Sequence, residues 1–326
     1  MAGILPAFPD STSPPDGVVD DPVALFAKGM CPRNEGETGE GTLRLKWGFT
    51  LPDTGIENHI QGWTAAGPVT VVTHSGNDSF GASYFIGISD NGEVVSLTRA
   101  PGIQGGPSHI GGCQGAGKYL AIACEKPDGG PGSYIYFYDM GNPSRPTRLP
   151  TRIYRPDRTA GAVAMTVCNT PAGLRHAIAV LEWHSVDFYY ADPDLGSSDC
   201  EFSLWQENSG ALYLGDTHPV EVQNIGLISR AGRRDPWLCA FSCTGPLDQY
   251  SDELLLFSAP DGRMSRLECS TNFRFSTSWA WGVHFRWGAN LMASKSEAVT
   301  WATAREFESN GDLKICLDVS SPGCRG

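Results

Sequence analysis

The chain has 326 residues, more than one hydrophobic core usually serves but an ordinary length for a closed ring of repeats. Its 24 Lys and Arg against 36 Asp and Glu give a formal charge of -12. That balance removes electrostatic attraction to nucleic acid or to an anionic membrane as a default. No run approaches the ~18 apolar residues of a membrane span, and Met1 to Asp21 lacks the basic-then-apolar order of an export signal. The sequence therefore predicts a soluble, cytoplasmic protein with a small-molecule partner, no nucleic acid and no membrane.

In chain order, residues 1–41 carry Pro6, Pro9, Pro14, Pro15, Pro22 and Pro32 and read as an extended arm. Residues 42–326 form the second predicted unit. It opens with an apolar segment, Thr42 to Thr50, followed by a phrase that recurs: His59-Ile-Gln-Gly-Trp63, His109-Ile-Gly-Gly-Cys113 and His284-Phe-Arg-Trp-Gly288, with Asn224-Ile-Gly-Leu227 as a version carrying Asn. After each phrase comes a Gly-marked turn and a second apolar run. Val69 to His74, Tyr119 to Glu125, His176 to Glu182, Trp237 to Ser242 and Asn290 to Ser294 are those runs. Short continuous apolar runs bounded by turns suit strands packed on both faces.

A hairpin closes each unit. Asp90-Asn-Gly-Glu93, Pro260-Asp-Gly-Arg263 and Ser309-Asn-Gly-Asp312 have the residues that type I′ turns require, because both central positions need positive φ. Units two and three use longer turn-rich links, beginning at Asp139 and Ala191. Five units result, starting near 59, 109, 161, 224 and 284.

This pattern resembles a β-propeller. The expectation is an all-β fold, a single β-propeller of five blades, with the N-terminal arm ahead of it. The strand near 42–50 would close the ring by pairing with the last blade. No WD or kelch signature is present, and the resemblance covers architecture alone, so it implies no catalytic residues.

In such a ring the first strand of each blade borders the axis, and equivalent positions form a circle: His59, His109, Gly161, Asn224 and His284. Three imidazoles around one point suit a divalent metal ion that keeps positions open for water or substrate. His59, His109 and His284 are thus candidate metal ligands, with Glu125 or Glu182 as a candidate general base. Asn224, Trp63, Trp183, Trp281 and Trp287 are candidate substrate contacts, since aromatic side chains can line an apolar pocket or stack on a sugar ring.

Each feature also has a plainer explanation. A His at the start of an inner strand can hydrogen-bond to the next blade, and aromatics can fill the wedges between blades. Cys113, Cys124, Cys168, Cys239 and Cys316 lie in apolar runs where free Cys acts as a small hydrophobe. A disulfide from Cys31 to Cys324 is the alternative for an exported chain. The predicted function is a small-molecule enzyme with the reaction open among lyase, hydrolase, cyclase and oxygenase. The alternative is a noncatalytic propeller that binds a protein or a carbohydrate.

Overall fold

A computed structural model describes residues 40–42, 44–50, 60–75, 83–89, 93–100, 109–126, 128–171, 173–206, 212–214, 218–219, 221–230, 233–244, 251–259, 262, 264, 267–276, 283–293, 298–304 and 312–320. The described residues are all-β, and they form a five-bladed propeller.

Blade 1 runs outward from the axis as Ile60–Ala66, Val69–His74, Tyr84–Ile88 and Val94–Arg99. Blade 2 is His109–Ala116, Tyr119–Glu125, Ser133–Asp139 and Thr147–Arg155, and blade 3 is Ala162–Thr170, Gly173–Glu182, Ser185–Ala191 and Phe202–Gln206. Blade 4 comprises Val222–Ile228, Trp237–Thr244, Ser251–Ser258 and Glu268–Ser276. Blade 5 comprises Val283–Ala293, Ala298–Ala304 and Asp312–Ser320. A two-stranded ribbon, Tyr213–Leu214 with His218–Pro219, lies between blades 3 and 4 in sequence.

The ring closes with strands from the start of the chain. Arg44–Thr50 pairs antiparallel with Asp312–Ser320 as the fourth strand of blade 5, as the sequence predicts. Glu40–Thr42 pairs parallel with Glu268–Ser276, so adjacent pieces of the N-terminal region sit on blades 4 and 5. The five inner strands touch in sequence order around the axis, and the fifth returns to the first.

The packing follows from strand composition. Second strands such as Val69–His74 are buried on both faces, which is why they read as continuous apolar runs and not as alternation. The hydrophobic cores lie between blades, one cluster for each of the pairs 1/2, 2/3 and 3/4, and one shared by blades 4, 5 and 1. Aromatics fill these wedges. Phe85 meets Tyr138 at 4.8 Å between ring centres, Phe241 meets Phe285 at 5.2 Å, and Trp63 meets Trp301 edge-on at 6.0 Å.

The fourth strand of blade 4, expected at Met264 to Leu267, is Glu268–Ser276, and the second strand of blade 5 also differs from its expectation. Asn290 to Ser294 was expected to begin the second strand of blade 5, but the inner strand runs through Ala293 and the second strand is Ala298–Ala304. The cause is a register shift between His284 and Ala289. Four extra residues, Phe285 to Gly288, are accommodated in a bulge, which lengthens the inner strand by a turn-like detour that apolar patterning does not reveal. The hairpin tips at 90–92, 260–261 and 309–311 lie outside the described residues. The strands on either side of the first tip pair as expected, and Gly262 has φ of +72°.

Candidate functional site

The innermost strand of each blade is an edge that leaves backbone N–H and C=O groups facing the axis, and such groups need partners when buried. Here primary amides supply them. Gln114 Oε1 accepts the N–H of Leu227 at 2.8 Å and of Met165 at 3.0 Å, and its Nε2 donates to Leu227 O at 3.1 Å. Asn290 Nδ2 donates to Cys113 O at 2.8 Å, and Asn224 Nδ2 donates to Trp287 O at 2.6 Å. Glycine lets these strands approach. A Cβ at Gly112 would collide with Asn224 Oδ1, and one at Gly115 would collide with the carbonyl oxygen of Ala65. The axis is thus cross-linked by side-chain amides, and none of the five inner strands contains Asp or Glu.

Strand direction fixes what gathers at each end of the ring. His109 is the register partner of Glu125, Ala162 that of Leu181, and the inner strands of blades 2 and 3 run parallel. The starts of inner strands, the ends of second strands and the turns into third strands therefore share one end. At this end the His109 Nδ1 lies 3.4 Å from Glu125 Oε1, with the two side chains 23% and 20% exposed. Gln61 of blade 1 lies on the other ring nitrogen, Nε2 to Nε2 at 3.3 Å. An amide Nε2 only donates, so in this orientation the imidazole accepts at Nε2 and carries its proton at Nδ1, facing the carboxylate.

The other candidates are placed as follows. His284 is turned into the seam between blades 4 and 5, where its Nδ1 lies 3.0 Å from Asp252 Oδ2 and the ring is buried. His109 and His284 thus engage different blades, and His59 lies outside the described residues, as does Trp281. Glu182 is ion-paired: its Oε2 takes Arg158 Nε, while its Oε1 accepts the Thr159 N–H at 3.0 Å. Arg158 also reaches Asp187 at 2.8 Å, and Arg155 joins the same buried Asp187 at 2.6 Å. Asn224 is buried against Trp287 through the bond above. Trp63 is wholly buried in the wedge between blades 1 and 5.

Trp183 is the opposite case. It is 71% exposed at the tip of the second-to-third turn of blade 3, with φ of 54°. A bulky residue seldom adopts positive φ, and the turn is held in place on both sides. Leu212 N–H donates to His184 O at 2.8 Å, and Ser185 Oγ donates to Glu182 O at 3.3 Å. A strained turn with a fixed backbone therefore presents an exposed indole at the same end as His109 and Glu125.

Cys113 lies beneath this end on the inner strand of blade 2. Burial pushes its thiol up to about 12, so at neutral pH it is protonated and a poor nucleophile. Cys124 and Cys239 are raised further by the same cause, and both are free and buried. Gln61, Gln114, Asp252 and Cys243 were not marked by sequence pattern. Gln61 stands within the first His phrase, which is the one signal that could have drawn attention to it.

The chain matches no protein-family model and no curated protein. Its fold is similar to that of fructan 1-exohydrolase IIa from Cichorium intybus, with a TM-score of 0.50 and 11% identity, covering 86% of this chain and 58% of that one. Two further similar structures are the GH32 beta-fructofuranosidase BmSUC1 of Bombyx mori and an exo-1,5-alpha-L-arabinanase from a bovine ruminal metagenomic library. The first has a TM-score of 0.46 and 11% identity, covering 90% of this chain and 64% of that one. The second has a TM-score of 0.42 and 12% identity, covering 80% and 93%. The chain spans less than two thirds of the exohydrolase and of the fructofuranosidase. At these identities the shared property is the five-bladed propeller.

Proposed function

We propose that the protein is a hydrolase of a small carbohydrate-class substrate, which binds at the end of the ring where the inner strands begin. The observation that carries this reading is the partly exposed Glu125–His109–Gln61 array at that end. A carboxylate facing Nδ1 holds the imidazole in one tautomer and stabilises the cation formed when Nε2 takes a proton, which is the logic of a carboxylate-backed histidine base. His109 Nε2 would take a proton from a water as its oxygen bonds to the substrate carbon, while the leaving oxygen takes a proton from solvent water as its bond breaks, and the imidazolium then returns its proton to solvent. Gln61 would yield its place on Nε2 to that water.

Two observations support the substrate class. Trp183 stands exposed on a turn at the same end, as a platform for the apolar face of a sugar ring. The fold is similar to that of a protein named as a fructan exohydrolase. The inner strands supply no carboxylate, so the reading rests on one histidine–glutamate base and not on the carboxylate pair of most glycoside hydrolases.

The test is hydrolysis of a panel of fructo-, arabino- and xylo-oligosaccharides by the parent, Glu125→Gln and His109→Ala, with circular dichroism as the folding control. Turnover by the parent that falls ~100-fold or more in both folded variants is the expected result. The amide-bridged axis and carboxylate-free inner strands favour one second reading, a noncatalytic propeller that binds carbohydrate. Calorimetric binding of an oligosaccharide without turnover would replace the hydrolase with that reading, and neither binding nor turnover would overturn both.

A further inference from the structure

The seam between blades 4 and 5 holds a second cluster, independent of the reading above. Cys243 Sγ, a carboxylate oxygen of Asp252 and an imidazole nitrogen of His284 all lie within 4.8 Å of one another. The three side chains are almost wholly buried, at 3%, 0% and 4% exposure. Cys243 and Asp252 are register partners on the second and third strands of blade 4, while His284 comes from the inner strand of blade 5. The bulge from Phe285 to Gly288 starts beside this cluster, and the Phe285 N–H donates to Asp252 Oδ1 at 2.9 Å.

We propose that this cluster binds one divalent cation of the zinc class, which ties blade 4 to blade 5. One sulfur, one nitrogen and one oxygen donor suit a borderline-soft ion, whereas calcium and magnesium require six or more oxygens. Ligand bonds of ~2.0–2.3 Å to a tetrahedral centre need donors ~3.3–3.8 Å apart. Small side-chain rotations bring donors that already lie within 4.8 Å to that spacing. Binding releases one proton, from the Cys243 thiol, and the imidazole binds through one ring nitrogen with its proton on the other. The ion then faces one thiolate and one carboxylate, so its charge is balanced. Three protein ligands leave a fourth position for water.

The bulge gains a purpose in this arrangement, since it allows His284 and the backbone of Phe285 to reach the same carboxylate. The chain's first described strands join the outer edges of the same two blades: Glu40–Thr42 lies on blade 4 and Arg44–Thr50 on blade 5. An ion there would lock the last two blades of the ring before or as those strands add.

The experiment uses the full chain, without an affinity tag, equilibrated with Zn2+ and dialysed. Metal content is measured beside thermal unfolding with and without EDTA. Co2+ substitution adds a spectroscopic readout that does not depend on a variant folding, because a thiolate ligand gives a sulfur-to-cobalt charge-transfer band. We expect one metal per chain, a lower Tm in EDTA, and a charge-transfer band. Cys243→Ser should lose the band, and His284→Gln should lose the retained metal. His109→Ala should keep both. Protein that retains no zinc, a Co2+ spectrum without the band, or a band that persists in Cys243→Ser would each overturn the proposal.

Discussion

Replacing Gln114 by Leu isolates the amide cross-link at the axis, because Leu keeps the side chain's approximate volume while removing its polar atoms. Three backbone groups then lose their partner: the N–H groups of Met165 and Leu227 and the carbonyl of Leu227, now bonded at 3.0, 2.8 and 3.1 Å. Gln114 is 7% exposed, so water reaches these groups poorly. Each buried group left unmade costs ~1–3 kcal/mol, and partial relaxation brings the expected sum to about 3–6 kcal/mol. Against a domain stability of ~5–15 kcal/mol, that is a large share. Urea unfolding followed by tryptophan fluorescence measures it, as a fall in midpoint of roughly 1–2 M at unchanged slope. A variant within about 1 kcal/mol of the parent would refute the reasoning, since the backbone groups would then have found other partners.

Three further outcomes are expected. His176 is buried with its Nε2 on Pro193 O at 3.0 Å, and burial depresses its pKa from 6.5 to about 4. The unfolded chain therefore takes up a proton between pH 6.5 and about 4 that the folded chain refuses. Stability falls with acidification through that window by up to ~3 kcal/mol, and His176→Gln should flatten the stability profile there; an unchanged slope would reject this. Gly115→Ala should lose about 2–3 kcal/mol, because its Cβ would enter the carbonyl oxygen of Ala65 where blades 1 and 2 meet backbone to backbone. Wild-type stability would mean that the blades can separate at no cost. Trp183→Asn should gain ~0.5–1 kcal/mol, because Asn tolerates positive φ, while weakening oligosaccharide binding; a loss of stability on thermal unfolding would show that the indole packs on something.

The ring was legible because its signals are local. Inner strands begin at Ile60, His109, Ala162, Val222 and Val283, each within two residues of its expected position. The His phrases and the fully buried second strands both repeat on a scale that pattern can detect. The Phe285 to Gly288 bulge was not legible, since inserted residues in a strand leave apolar character unchanged and shift only register. The site was legible in pieces. His109 and Glu125 are register partners on adjacent strands, so a correct blade assignment brings them together. The contact of His284 with Asp252 crosses from one blade to the next, and which way a side chain at the head of an inner strand turns depends on local twist and on the bulge beside it. Equivalent positions in the repeat therefore need not point at a common centre.

The amide cross-links bear on where function can reside in this ring. A propeller whose inner strands carry carboxylates at the axis needs water in its channel to solvate them. Here Gln114, Asn224 and Asn290 satisfy backbone groups instead, and glycines at 62, 111, 112, 115 and 226 let the strands close around them. Neutral amides can be buried at the axis because they bond to backbone groups, Gln114 and Asn290 through both amide atoms and Asn224 through its Nδ2, whereas a carboxylate in the place of Gln114 would face the Leu227 carbonyl unprotonated and desolvated. Chemistry that needs charge is thereby displaced from the axis to the strand ends. There Glu125 keeps solvent contact, and a turn such as that at Trp183 can vary without touching the ring.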